Sequence, residues 1–261
     1  MNRVFAVNGR RTAGSVLRES LLENEGRLPT WLALIALCGG VVGMMFAGGI
    51  SLMLVTYLGF TSEMWPAALG AYVTFALAPF HMAEFVVAAL YRPREAGPEA
   101  FMLFHSPAYI LAVALSLVEF ALEVRFVPAS WKYATMSNAS IWLGVLGTVV
   151  WYGLRVVAMV QCGSNFSLNI EHEHREDHEL CNEGVYRYLR HPSYTGWFWR
   201  TVCTQIILMN PVSFVVFTLV TWRFFVTRIA FEEALLAEEE FFGPSYTEYK
   251  KRTYTLIPFI A

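Results

Sequence analysis

The stretch from Trp31 to Ser62 contains no charged side chain, and this feature constrains the fold more than any other in the sequence. A bilayer with a hydrocarbon core about 30 Å thick is crossed by roughly 20 helical residues. Of the 261 residues, 56% are hydrophobic and 15% are charged, whereas soluble domains average about 45–50% and roughly 25%. The sequence therefore predicts a membrane protein and argues against an ordinary soluble enzyme, a disordered chain or a secreted disulfide scaffold.

Apolar runs of spanning length recur along the chain and predict an all-α polytopic membrane protein with about six transmembrane helices. The candidate spans are 31–58, 66–91, 101–122, 138–162, 193–210 and 212–228. The last two runs are short and are separated by the turn dipeptide Asn210–Pro211, so we expect them to form a compact hairpin.

The first run admits two interpretations, one long helix or a helical hairpin within 31–60. Glycine pairs at 39–40 and 48–49 would permit a hairpin, but no Pro, Asn or Asp marks a turn. We therefore favour one long, tilted helix. On that helix, small residues spaced four apart predict a stripe for close packing, formed by Gly39, Gly43 and Ala47.

The placement of lysine and arginine predicts the orientation in the membrane. With six spans, the first residues, loop 92–100, loop 163–192 and the tail lie on one side, which holds most of the basic residues. That side is predicted to be cytosolic. The resulting organisation is a cytosolic N-terminal segment at 1–30, a four-helix transmembrane region at 31–162, and a region at 163–261 that carries the polar motifs.

Ionisable side chains at membrane depth are costly, so each one marks a functional site or a structural pair. The second and third predicted spans carry four of them: His81, Glu84, His105 and Glu119. They could line a polar cavity, but we favour pairing across these two helices, which would hold the bundle together. Three further cations near span ends are expected to extend to the membrane interface, namely Arg155, Arg200 and Arg223.

Residues 171–179 form the most densely charged stretch of the chain. His174 and His178 are four residues apart, as metal ligands on one face of a helix would be. A solvated loop explains the stretch more simply, and we expect no metal. The net charge of −2 offers no basic field for nucleic acid, so no nucleic-acid partner is expected.

The cysteines show no CxxC pairing, and most lie in or beside apolar runs. Such cysteines usually behave as small hydrophobic residues. We therefore expect neither a zinc site nor a disulfide framework among Cys38, Cys162, Cys181 and Cys203.

Residues 184–196 combine a turn glycine, several hydrogen-bond donors, aromatic side chains and Pro192 at the start of an apolar helix. Proline favours the first turn of a helix, whose free N–H groups can meet a polar ligand. The segment suits a flat, polar cofactor at the membrane surface, although an interfacial belt of Tyr and Arg would look similar. Farther along, Arg228 and Glu232 are four apart on one helical face, either as an ion pair or as groups that serve two different ligands.

These motifs occur in one order, and the ordered set resembles the isoprenylcysteine carboxyl methyltransferase family of the endoplasmic reticulum. The resemblance is dense from about 160 to 261. It rests on Gly163-Ser164-Asn165-Phe166, Gly184-Val185-Tyr186, Arg190-His191-Pro192-Ser193-Tyr194-x-Gly196, Thr204-Gln205, Asn210-Pro211, Arg228 with Glu232–Glu233, and Phe241-Phe242-Gly243-x-x-Tyr246-x-x-Tyr249.

The resemblance implies S-adenosyl-L-methionine as cofactor and methyl esterification of the C-terminal α-carboxylate of prenylated cysteine on processed CaaX proteins. The implied partners are prenylated proteins of the small GTPase type and membrane lipid, at the endoplasmic reticulum membrane with a cytosolic catalytic face. Arg228 takes the position of the family's substrate-binding, catalytic arginine. The cofactor contacts fall on Glu171, His178, Glu179, Leu180, Cys181, Tyr186, His191, Pro192, Ser193, Tyr194 and Glu232.

The implied reaction suits the chemistry of these residues. An α-carboxyl group has a pKa of about 3.3–3.7, so it is ionised at neutral pH and needs no general base. Catalysis then depends on positioning, and an arginine can hold a carboxylate through two parallel hydrogen bonds. Two alternatives remain at this point: an NADPH-dependent sterol reductase with a similar C-terminal layout, and a membrane scaffold without enzymatic activity.

Overall fold

The computed structural model describes residues 28–128, 131–132, 138–170 and 179–260, so most of the predicted N-terminal segment lies outside it. Within these ranges the chain forms α-helices and short 3₁₀ turns, with one isolated β-bridge between Leu189 and Tyr254. The all-α fold class predicted from the sequence is therefore confirmed. The helices are α1 (Leu28–Tyr57), α2 (Trp65–Tyr91), α3 (Pro107–Phe126), α4 (Asn138–Cys162), α5 (Pro192–Leu208), α6 (Pro211–Leu236) and α7 (Gly243–Lys251).

Five helices in the described part of the chain are long and apolar enough to cross a membrane: α1, α2, α3, α4 and α6. Helix α5 has 17 residues, fewer than the roughly 20 needed to cross the hydrocarbon core. The helical membrane bundle is thus confirmed, and a sixth crossing, by α5, stays a prediction.

Helix α1 is continuous, so the first apolar run is one helix and not a hairpin. Its packing face differs from the predicted stripe, because Gly43 and Ala47 are exposed. The close approach occurs instead at Gly49, where a Cβ atom would lie 2.9 Å from the carbonyl oxygen of Gly70 on α2 and would collide with the Thr74 hydroxyl. The stripe prediction was wrong because the four-residue spacing of small residues does not show which side of a helix meets its neighbour.

Two boundaries also differ from the sequence prediction. Helix α3 begins at Pro107, after Ser106, whose hydroxyl accepts a hydrogen bond from the Tyr109 N–H at 3.1 Å. His105 therefore precedes the third span and does not lie on it.

Helix α6 runs through Leu236, because no glycine or proline interrupts it before the Gly243–Pro244 break, so the last hairpin has one short arm and one long arm.

Helix α2 contains a π-helical segment at Tyr72–Leu77. Pro79 lies just beyond it and has no N–H to donate to the preceding turn, which accounts for the widened helix. At this wide turn the carbonyl of Ala76 accepts a hydrogen bond from Arg200 Nη2 of α5 at 2.8 Å. The irregularity in α2 thus provides a partner for a buried cation.

Helices α4 and α5 pack closely because glycines lie between them. A Cβ atom at Gly196 would be 2.5 Å from the Trp151 carbonyl, and one at Gly144 would be 2.8 Å from the Ile207 nitrogen. At the far end of α5, Asn210 donates to the Ser116 carbonyl of α3 at 2.8 Å. These contacts fix α5, whose first turn carries the candidate site residues.

Replacing Gly49 by alanine is expected to destabilise the bundle, because the new methyl group would press on the α2 backbone. Overpacking of this kind typically costs about 1–3 kcal/mol, which would lower the unfolding temperature of the detergent-purified protein. Gly43→Ala is the matched control on the same helix, since a Cβ atom there meets nothing within 4 Å. Equal unfolding temperatures for the two variants would contradict the proposed packing face.

Candidate active site

A pocket lies at the end of the bundle where α4 ends, α5 begins and α6 meets α7, and we call it the site pocket. Its volume is about 850 Å³ including its open mouth. All the predicted cofactor residues within the described part of the chain line it: Glu179, Leu180, Cys181, Tyr186, His191, Pro192, Ser193, Tyr194 and Glu232. The other two, Glu171 and His178, lie outside the described residues.

The first turn of α5 forms one wall of the site pocket. Pro192 is its first residue, and the His191 ring stacks on the Tyr194 ring with centroids 5.3 Å apart and planes at 6°. Proline is suited to the first helical position, and the N–H groups of a first turn carry partial positive charge. The wall therefore offers a flat aromatic surface beside hydrogen-bond donors.

Tyr194 connects the two charged residues of α6. Its hydroxyl accepts a hydrogen bond from Arg228 Nε at 2.8 Å and donates one to Glu232 Oε2 at 2.6 Å. Arg228 Nη2 also donates to the Leu168 carbonyl at 2.6 Å. Among the described residues, Arg228 and Glu232 form no direct ion pair, and the tyrosine holds the cation and the anion apart.

Glu233, the neighbour of Glu232, is a structural centre that the sequence analysis left without a role. Its carboxylate accepts hydrogen bonds from Arg190 Nε at 2.5 Å, His191 Nε2 at 3.1 Å and Lys250 Nζ at 2.5 Å. It thus joins α6 to the start of α5 and to α7. The sequence did contain a signal for this role, namely the adjacent acidic residues Glu232 and Glu233. Successive helical residues point about 100° apart, so two adjacent carboxylates meet different partners.

Two buried polar atoms at the site pocket have no partner among the described residues, namely Tyr246 Oη and Arg190 Nη2. Burial, the largest cause, raises the pKa of Tyr246 well above its usual value, so its hydroxyl stays neutral and able to donate. A buried polar group without a hydrogen bond is costly. Both atoms are therefore suited to meet a polar ligand.

Beneath the site pocket lies a buried ion pair between helices α2 and α4. Arg155 Nε and Nη2 donate to the two carboxylate oxygens of Glu84 at 2.7 and 3.0 Å, and Arg155 Nη1 donates to the Ser193 hydroxyl. Its guanidinium also lies 4.6 Å from the Trp197 ring. Two predictions were wrong here: Glu84 pairs with the fourth span and not the third, and Arg155 points into the core and not to the interface.

The other ionisable residues of the spans also have specific partners. His81 Nδ1 donates to the Phe101 carbonyl at 2.8 Å, and its Nε2 lies 3.4 Å from the Tyr109 hydroxyl of α3. Among the described residues His81 contacts neither His105 nor Glu119, so the predicted pairing of ionisable groups across these two helices was wrong. Glu119 accepts hydrogen bonds from the N–H groups of Val212 and Ser213 at 2.8 and 2.7 Å and so caps α6.

The remaining cations differ from one another. Arg200 is buried, with its guanidinium 4.2 Å from the Phe80 ring, so the expectation that it extends to the interface was wrong. Arg223 is exposed in the middle of α6 and not near its end, so its extension to the interface stays a prediction. His105 lies near Trp197, with ring centroids 6.3 Å apart, and burial lowers its pKa.

The expectation of unpaired cysteines was wrong for one pair. Cys162 at the end of α4 and Cys181 are joined by a disulfide bond, with their Cα atoms 5.7 Å apart. The pairing had no motif in the sequence, because the two cysteines are 19 residues apart and meet only in the folded chain. Cys38 and Cys203 are free.

No group of three metal-ligating side chains occurs in the described ranges. The candidate ligands His174 and His178 lie outside those ranges.

Comparisons with known proteins place the site pocket in a family context. A family model for the isoprenylcysteine carboxyl methyltransferase (ICMT) family matches residues 142–238. Proteins named protein-S-isoprenylcysteine O-methyltransferase are similar over most of the chain. The one from Tribolium castaneum is 38% identical over 212 residues, covering 81% of this chain and 73% of its own. The one from Homo sapiens is 37% identical over 226 residues, covering 87% and 75%.

The fold is similar to that of a solved structure of the eukaryotic intramembrane Ras methyltransferase ICMT. The TM-score is 0.78 at 33% identity, and the match covers 95% of this chain and 83% of the other.

Breaking the Glu84–Arg155 pair from either side is expected to destabilise the protein strongly. Removing one partner leaves a buried charge unpaired and costs about 3–5 kcal/mol, so Glu84→Gln and Arg155→Met should each lower the unfolding temperature. The double variant should recover part of the loss, because neither charge remains. Glu248→Gln, which removes an exposed partner of Lys251, is the control and should leave unfolding nearly unchanged. Additive losses in the double variant would argue against the pair.

Proposed function

The chain belongs to the isoprenylcysteine carboxyl methyltransferase family, and on this basis we propose that S-adenosylmethionine is its methyl donor and that Arg228 holds the acceptor. The reaction is methyl esterification of the carboxylate of a prenylated cysteine. Neither a sterol reductase nor a scaffold without activity is compatible with this membership. The observation that carries the proposal is the Tyr194 hydroxyl, which separates a cation from an anion at the site pocket.

The residues of the site pocket fit S-adenosylmethionine. When bound, it supplies an electrophilic methyl group on a sulfonium. Glu232 is the carboxylate that would meet its positive charge, and the unpaired Arg190 Nη2 and Tyr246 Oη would meet its polar groups. The stacked His191 and Tyr194 rings provide a flat surface for a planar base.

Arg228 is prepared to bind a carboxylate. Hydrogen bonds to the Leu168 carbonyl and the Tyr194 hydroxyl orient its guanidinium, and within the described part of the chain nothing accepts from Nη1. The acceptor carboxylate is ionised at neutral pH, so no side chain needs to remove a proton. The role of the protein is to align the carboxylate oxygen with the methyl group and to exclude water.

The site lies where one substrate can arrive from the lipid bilayer and the other from water. Arg228 and Glu232 lie on α6, which is long and apolar enough to span the membrane, while the segment before α5 is polar. A prenyl chain would come from lipid and a charged donor from water. We accordingly propose prenylated CaaX proteins of the small GTPase type as acceptors, and the endoplasmic reticulum membrane, with the site facing the cytosol, as the location. In this scheme 163–261 is the catalytic region.

Glu232→Gln and His191→Ala are expected to weaken binding of S-adenosylmethionine, because the first removes an anion and the second a stacked ring. Isothermal titration of the detergent-purified protein measures the change, which should be about tenfold or more for a lost charged contact. Glu239→Gln is the matched control, because that glutamate is exposed just beyond α6. Unchanged affinity in both site variants would contradict the cofactor assignment.

Arg228→Ala is expected to retain donor binding but lose methyl transfer, because the carboxylate then has no cationic partner. A lost charged partner costs about 2–5 kcal/mol, which corresponds to a roughly 30-fold to several thousand-fold slower reaction. Arg228→Lys should restore only part of the rate, since an ammonium cannot form two parallel hydrogen bonds.

Turnover of a farnesylated cysteine analogue measures this effect. Arg223→Ala, an exposed arginine on the same helix, should stay close to the wild-type rate. If Arg228→Ala did so as well, Arg228 would have no part in the mechanism.

A further inference from the structure

The C-terminal segment, residues 253–260, is not helical, yet it lies against the middle of the last hairpin. Trp199 Nε1 of α5 donates to the Leu256 carbonyl at 2.8 Å, and Trp222 Nε1 of α6 donates to the Pro258 carbonyl at 2.7 Å. Between these two bonds Ile257 is 3% exposed, in a cluster with side chains of both helices. The segment is therefore held along the hairpin and not at its end.

The level of these contacts lies within the membrane-spanning part of α6. At 1.5 Å per residue, Trp222 lies roughly 16 Å along the axis from Pro211, where α6 begins. The Pro258 carbonyl therefore lies beside the middle of α6, a helix of 26 residues that is long and apolar enough to cross a membrane. Non-helical backbone at that depth is tolerated only when its polar groups are satisfied by the protein.

The backbone carbonyls of this segment meet the acceptor part of that requirement, while the N–H groups of Thr255, Leu256 and Phe259 have no partner among the described residues. The carbonyls of Thr253 and Tyr254 accept hydrogen bonds from Arg190, through Nη1 at 2.8 Å and the backbone N–H at 3.0 Å. The Thr255 carbonyl accepts one from the Thr195 hydroxyl. With the two tryptophan bonds, the carbonyls from 253 to 256 and at 258 are all paired within the protein. An apolar solvent offers no hydrogen bonds, so carbonyls in it need such partners, whereas carbonyls in water do not.

The exposed side chains of this described segment are aromatic or aliphatic, and among them only Tyr254, which is 70% exposed, carries a polar atom. Phe259 is 96% exposed and Leu256 is 53% exposed. The basic run Lys250–Lys251–Arg252 directly precedes the segment. Basic residues beside an exposed apolar tip are typical of chains that insert between anionic headgroups and place apolar side chains among acyl chains.

We propose that residues 254–260 are embedded in the membrane leaflet on the α7 side, with Leu256 and Phe259 in contact with acyl chains. The occupant of this apolar surface is lipid, and neither a second copy of the chain nor a soluble partner covers it. The segment is a re-entrant anchor that complements the spanning helices.

Depth-dependent fluorescence quenching tests this placement. Phe259→Cys is introduced with Cys38→Ser and Cys203→Ser, labelled with the fluorophore NBD without reductant, and placed in phosphatidylcholine–phosphatidylserine nanodiscs. Glu248→Cys is the aqueous control on α7, and Val216→Cys is the lipid-facing control on α6, because both positions are exposed. The parent protein without an added cysteine gives the background.

The label at 259 should behave like the label at 216: doxyl groups on acyl chains should quench it by at least about twofold, and iodide in water should not. The label at 248 should show the opposite. Iodide quenching at 259 as strong as at 248 would overturn the proposal. A label at 259 shielded from both quenchers would also overturn it, because protein and not lipid would then cover the segment.

Discussion

The bidentate ion pair between Glu84 and Arg155 is the interaction on which the rest of the site depends. Both side chains are almost fully buried, and an isolated charge in such surroundings would be prohibitively costly. The third nitrogen of the same guanidinium donates to Ser193, in the first turn of α5. The pair that neutralises the core thus also sets the position of the turn that forms one wall of the site pocket.

From that turn, Tyr194 extends the arrangement to α6. One hydroxyl accepts from Arg228 and donates to Glu232, so the two charges do not neutralise each other. Because a hydroxyl can both accept and donate, it keeps each charge available for a ligand of opposite sign. Glu233, one residue on, braces the same helix against α5 and α7. The adjacent residues Glu232 and Glu233 of α6 therefore have different partners, Tyr194 for the first and Arg190 with Lys250 for the second.

Features that depend on neighbouring residues could be predicted from the sequence. Contacts between segments that are distant in the sequence could not. The continuity of α1 followed from the lack of turn residues, and the motif residues Tyr186, His191 and Tyr194 line one pocket. The partner of Glu84 could not be read from spacing, because Arg155 lies on a helix that only the folded bundle brings near. The disulfide of Cys162 and Cys181 and the Gly49 packing face escaped prediction for the same reason.

The Glu84–Arg155 pair also constrains how the chain is made. The two residues are 71 positions apart, and ribosomes add about 5–20 residues per second, so α2 leaves the ribosome roughly 4–14 s before its counterion. During that interval the carboxyl group must either carry a proton or stay beside water, because no cation is present to stabilise its charge in lipid. Unless that carboxyl group is protonated, helix α2 reaches the bilayer interior only after α4 has been synthesised and Arg155 can pair with it.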